Sequence, residues 1–182
     1  MGQSKSAMLT IDRIIGNIYN DDHLLSTFKE FVSKQQDETF LITRTESQKQ
    51  RMRKVSNKGT DIALNFRSGS QHLRHGDVIV LNNNQIVVVE IEPENVLEVE
   101  LHQETLTGNP EGLLQIPVQI GHTIGNLHRP IMLDGSRIYF PIQSESEIEM
   151  FRKLFHPFHH HIAIQSKKIV FEPNETMNVH EH

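Results

Sequence analysis

The hydrophobic rhythm of the chain changes at Glu92-Pro93-Glu94, and this break constrains the fold more than any other feature. Ahead of it, apolar residues come in short runs separated by turn chemistry. Ile11 to Ile18 reads as an opening strand. Gln48 to Val55 and Asp61 to Phe66 read as a hairpin across Ser56-Asn57-Lys58-Gly59, where Asn and Gly supply the left-handed backbone of a tight reversal. Val78 to Leu81 and Ile86 to Ile91 form a second hairpin around the polar tract Asn82-Asn83-Asn84-Gln85. His23 to Lys34 is compatible with a helix or an irregular insertion. Strands this short and this regularly spaced predict a small all-β sandwich or barrel.

Beyond the break the pattern mixes two periods. Val96-Leu97-Glu98-Val99-Glu100-Leu101 alternates apolar and polar, as a half-buried strand does. Asn109 as N-cap and Pro110 at the first helical position open a helix expected to run to about Ile124. Gly125-Asn126, which tolerate a left-handed C-cap, should end it, and Pro130 forbids its resumption. Ile131 to Leu133 and Arg137 to Phe140 make a hairpin across Asp134-Gly135. Ser144 with Glu147 has the form of a capping box, opening a helix whose Ile148, Phe151, Leu154 and Phe155 share a face. Ile162 to Phe171 closes with a strand. Strand–helix–strand–strand–helix–strand is the ferredoxin-like order, so the expected class is β followed by α+β. The expected domains are residues 1–93, residues 94–173 and a histidine-bearing tail over residues 174–182.

Composition narrows the chemistry. A net charge of −5 gives no basic surface for nucleic acid. No apolar run approaches the roughly 18 residues that span a bilayer, and the first residues lack the apolar core of a signal peptide. The absence of cysteine excludes disulfides, iron–sulfur clusters and thiolate zinc sites, and it fits a reducing cytoplasm. Histidine is the unusual residue: there are 12, eight of them at or after His122. That bias points to metal binding through imidazole nitrogen.

The candidates differ in weight. His128 lies just past the expected helix end in Gly125-Asn126-Leu127-His128-Arg129-Pro130, where glycine and proline fix the backbone and turn the imidazole outward. A histidine there is also a natural cap for the helix C-terminus, and spacing alone favours that plainer role. His180 and His182, with Glu181 between them, can wrap a divalent ion or simply remain solvated. In the dense cluster His156-Pro157-Phe158-His159-His160-His161, entry of His159 to His161 into a strand would put His159 and His161 on one face. A solvent-facing strand entry is an equally good reading. His122 is better explained as an ordinary helical histidine, and His102 has no sequence neighbour to pair with. No His-Glu-x-x-His, phosphate-cradling glycine loop, Gly-x-Ser-x-Gly elbow or cysteine nucleophile is present, which tilts the balance from catalysis toward binding.

Three stretches together resemble the urease accessory nickel metallochaperones, UreE. Ile120-Gly121-His122-Thr123-Ile124-Gly125-Asn126-Leu127-His128-Arg129-Pro130 is similar to that family's Gly-Asn-Arg-His-x-Pro signature. Gly59-Thr60-Asp61-Ile62-Ala63-Leu64 and then Leu73-Arg74-His75-Gly76-Asp77-Val78-Ile79 resemble its N-terminal strands and Leu-Arg-x-Gly-Asp turn. Phe171-Glu172-Pro173 before a short histidine tail completes the likeness. The resemblance implies a non-enzymatic carrier that takes Ni(II) as cargo and binds Zn(II) or Cu(II) as well. It implies a homodimer joined through the C-terminal domain, with His128 of each copy meeting at the two-fold axis and His180 and His182 completing the shell. It also implies apo-urease and its accessory proteins, including the accessory GTPase, as partners. An interaction module with incidental histidines is the alternative. Leu127 stands where the motif has arginine, and Thr123 where some members carry histidine.

Overall fold

The computed structural model describes residues 8–67, 72–103 and 110–173, and gives no side-chain detail for residues 110–113. The chain forms two compact units that divide between Glu92 and Pro93.

The first unit is built on two sheets. Strands β1 (Leu9–Ile11), β5 (Asp61–Asn65) and β4 (Arg51–Val55) make one, in the order β1-β5-β4. Strands β2 (Gly16–Asn17), β6 (Asp77–Leu81), β7 (Ile86–Ile91) and β3 (Asp37–Ile42) make the other, in the order β2-β6-β7-β3. Both expected hairpins are present, β4 with β5 and β6 with β7, each antiparallel. The expected opening strand is broken instead: β1 pairs with β5 and β2 with β6, so residues 12–15 cross from one sheet to the other. Strand β3, parallel to β7, is an element that the local sequence pattern does not reveal.

Nor is this unit all-β. Helix α1 (Asp22–Ser33) occupies the stretch compatible with helix or insertion. Asp21 caps it, its side chain accepting from the backbone N–H of His23 and Leu24. Leu24, Leu25, Phe28 and Phe31, spaced for one helical face, pack against Ile18, Val78, Ile86 and Val88. A short helix α2 (Arg44–Ser47) comes next, with a capping box between Thr43 and Glu46.

The Leu-Arg-His-Gly-Asp turn is structural. The N–H of Asp77 donates to the carbonyl of Arg74 at 3.1 Å, and Gly76 at the third position has φ +86°, as a type II turn requires. The carboxylate of Asp77 accepts from the backbone N–H of Arg74 at 2.7 Å and from the Asn17 amide at 2.9 Å. The Tyr19 ring closes over the turn, stacked on His75 with centroids 5.6 Å apart.

The second unit is one antiparallel sheet of four strands. These are β8 (Glu94–Leu101), β9 (Met132–Asp134), β10 (Arg137–Pro141) and β11 (Ile162–Ile169), ordered β11-β8-β10-β9. Helices α3 (Pro110–Asn126) and α4 (Glu145–Leu154) cover one face, which gives the element order read from the sequence. Leu97, Val99 and Leu101 of β8 meet Ile116, Ile120 and Ile124 of α3 and Phe151 and Phe155 of α4 in one core. Asn109, the expected cap of α3, lies outside the described residues. Pro117 sits inside α3 and removes a hydrogen bond at a cost of about 3 kcal/mol. Burial of three isoleucines at four-residue spacing, each contributing about 1.5–3 kcal/mol, outweighs it.

Two expectations for α4 fail. Ser144 makes no capping bond, because its hydroxyl turns to Ser146 at 2.8 Å. Glu147 instead accepts from the backbone N–H of Gln143 at 2.8 Å and binds Arg129. Leu154 is exposed, lying just outside the face that buries Phe151 and Phe155.

On the opposite face of the sheet Glu98 is fully buried, at 0% exposure. Burial pushes its carboxyl pKa upward, but hydrogen bonds from Lys167, Tyr139 and Gln165 and the lysine charge outweigh that and hold it below the usual range. The Lys167 ammonium lies 2.6 Å from the carboxylate. Desolvation and the same hydrogen bond raise the Tyr139 phenol.

Candidate metal centre

The end of α3 differs from expectation, and the difference falls on His128. The helix continues through Gly125 and Asn126. The residue that turns left-handed is His128, with φ +53°. The N–H of His128 donates to the Gly125 carbonyl at 2.9 Å, and that of Arg129 reaches the Ile124 carbonyl at 3.4 Å. These two bonds define a Schellman ending, in which the left-handed position is normally glycine. A side chain there costs roughly 1–2 kcal/mol. Sequence reasoning assigns the position to the glycine and asparagine beside it, since nothing local marks a histidine for the strained site.

His128 is exposed, as are His122 and Leu127. The next two residues are held firmly. The Arg129 guanidinium donates to Glu147 at 2.6 Å, with both side chains only 18% exposed, and Pro130 fixes the adjoining backbone angle. The imidazole therefore stands on a short, strained arm anchored to α4. His122 lies one helical turn before Asn126, its Nε2 in a 3.0 Å hydrogen bond with the Asn126 side-chain amide. That ring nitrogen is the acceptor there, so the amide occupies the lone pair a metal would use.

The sheet has two ends, and the histidines divide between them. Strand β11 runs antiparallel to β8, with Ile162 opposite Leu101 and Ile169 opposite Glu94. Helix α3 returns along the sheet, so His128 precedes β9 at the end where β8 begins and β11 finishes. The chain leaves β11 toward Phe171 and Pro173 at that same end. His180 and His182 lie outside the described residues.

His159 and His161 belong to the other end, roughly 23 Å away along eight residues of β11. Neither is in a strand. His156–Phe158 forms a 3₁₀ turn, His159 to His161 continue as turn, and β11 begins at Ile162. Strand alternation thus does not pair His159 with His161. The rings near His159 are those of His156, at 4.9 Å between centroids, and His160, at 3.7 Å. Among the described residues, no three histidine, aspartate or glutamate side chains gather as a ready-made cage for an ion.

Helix α3 presents one further feature. Leu114 and Val118 are 68% and 64% exposed, and space is open beyond the α-carbons of Gly121 and Gly125 in the next turns of the same stripe. No helix among the described residues is long and apolar enough to cross a membrane.

Residues 11–92 match the N-terminal domain of the UreE urease accessory protein. A urease accessory protein UreE of Natronomonas pharaonis is 27% identical over 141 residues, 78% of this chain and 63% of that protein. Those of Yersinia mollaretii and Yersinia frederiksenii are 30% and 29% identical over 74% of this chain, covering 57% and 55% of their own lengths. The chain thus spans less than two thirds of the relatives it matches. Residues 11–92 are thus similar to a UreE N-terminal domain, and the chain over most of its length is similar to the urease accessory proteins UreE.

Proposed function

We propose that the chain is a cytoplasmic nickel carrier, not an enzyme, that delivers Ni(II) to apo-urease during assembly of the urease metal centre. The observation that carries this reading is His128, an exposed imidazole held in a left-handed backbone position that ordinarily belongs to glycine. Strain kept at such a position argues for selection on the side chain rather than on the turn.

A single imidazole cannot hold an ion, and a homodimer supplies the second by symmetry. The apolar stripe of α3, with Leu114, Val118 and two open glycines, supports pairing of two copies through this unit in a ferredoxin-like arrangement. Six residues lie between Pro173 and His180, so the seven steps of chain extend at most about 25 Å. The chain leaves β11 at the His128 end, and His180 and His182 are the proposed further ligands of the same ion. Imidazole and water suit Ni(II), bind Zn(II) comparably and bind Cu(II) more tightly, so nickel preference must come from geometry and supply. Apo-urease and the accessory GTPase are the proposed recipients.

Titration of the full chain with Ni(II) tests this. One tight ion per two chains is expected, with at least a tenfold loss of affinity in His128→Ala; unchanged affinity and stoichiometry would remove His128 from the site. A second reading, an interaction module for urease assembly, is favoured by a groove of about 750 Å³ in the first unit, lined by residues including Gln50, Arg51, Phe66 and Arg67. Capture of urease components that is indifferent to nickel and to chelator would favour it.

A further inference from the structure

The turn between α4 and β11 concentrates imidazoles far from His128, and its geometry is that of a ligand platform. The turn is rigid. The N–H of Phe158 donates to the Phe155 carbonyl at 2.9 Å, that of His159 to His156 at 3.2 Å, and that of His161 to Phe158 at 2.8 Å. Phe155 is buried in the core and Phe158 packs against it, so the turn is bolted down from beneath. From the side, the backbone N–H of His102 donates to the His161 carbonyl at 2.9 Å, and the His102 ring reaches the His160 carbonyl at 3.1 Å.

On this frame His156, His159 and His160 are all exposed. The Nδ1 of His159 lies 2.8 Å from the His156 carbonyl oxygen. A carbonyl only accepts, so Nδ1 carries the proton and Nε2 keeps its lone pair. A ring N–H donated to a backbone carbonyl is how metal-bound histidines are commonly oriented. The His156 ring lies alongside at 4.9 Å and 22°, and this exposed side chain would have to rotate from the stack for its ring nitrogen to share an ion with Nε2 of His159. On the other flank His160 packs against His159 and limits its swing.

We propose that His156 and His159 form a second, weaker site for a borderline divalent ion such as Ni(II) or Zn(II), independent of His128. Two imidazoles bind it and water completes the shell, consistent with the lack of any three-ligand cage among the described residues. His161 is not part of it. Since both ligands come from one chain, the site holds one ion per chain rather than one per pair.

The test uses the full chain carrying His128→Ala, His180→Ala and His182→Ala together, titrated with Zn(II) or Ni(II) while the histidine ring resonances are followed. One ion per chain is expected, bound at least tenfold more weakly than the tight ion of the unaltered protein, with the His156 and His159 signals responding first. Adding His156→Ala, which disturbs no side-chain hydrogen bond, should weaken that binding tenfold or more, whereas adding His161→Ala should leave it unchanged. The proposal is overturned if the triple variant binds no ion, or if His156→Ala leaves its binding intact. Either result is separable from the His128 reading, which is scored by the tight ion shared between chains.

Discussion

Gly76 and His128 occupy equivalent backbone predicaments and answer them in opposite ways. Both sit where the chain must turn through positive φ, +86° in the first unit and +53° in the second. At Gly76 the residue obeys the sterics: an added Cβ would lie 2.4 Å from the Tyr19 ring. At His128 a bulky side chain accepts the strain and faces open solvent. The first turn is built for stability, and its neighbours Asn17, Tyr19 and Asp77 are spent on closing it. The second keeps an imidazole where stability alone would have selected glycine.

Three substitutions would break or sharpen this contrast. Gly76→Ala is the most severe, combining left-handed strain with displacement of Tyr19 from His75; a loss of about 2–3 kcal/mol in denaturant unfolding is expected, without change in metal stoichiometry. A loss below about 0.5 kcal/mol would mean that the turn does not require glycine. Glu147→Gln removes the charge that ties Arg129, the residue after His128, to α4. About 1–2 kcal/mol of stability should go with it, together with a several-fold drop in Ni(II) affinity measured by titration. Unaltered affinity would show that the arm needs no anchoring. The smallest effect is the most telling. His128→Gly should raise stability by about 1 kcal/mol in the same unfolding assay while abolishing tight nickel binding. A destabilised His128→Gly protein would assign the histidine to the fold rather than to the ion.

Much of this is legible in the chain, for physical reasons. The hairpins β4–β5 and β6–β7 announce themselves because turn residues and alternation are local signals. The strand and helix order of the second unit is equally readable. Strand β3 escapes because it pairs in parallel with β7, dozens of residues away, and parallel pairing leaves no hairpin signature. The capping box at Ser144 misleads because the Ser144 hydroxyl turns to Ser146 and Glu147 is taken by the Gln143 N–H and by Arg129, remote in sequence. The motif marks His128 but not its strained backbone, since the helix end is set by burial of Ile120 and Ile124 rather than by the nearest glycine. The stacking of His156 on His159 depends on a 3₁₀ turn that the period of a strand cannot suggest.

The outer position of β11 also bears on how copies of this chain meet. Among the described strands of the second unit it lies at the sheet edge and is eight residues long, so one side of its backbone offers a ladder to any extended segment nearby. Its middle carries Gln165, Ser166, Lys167 and Lys168, with Gln165, Ser166 and Lys168 exposed. Two such edges brought together would stack lysine against lysine. Extension of the sheet across that edge is thereby discouraged, and in the proposed homodimer association would fall to the apolar stripe of α3.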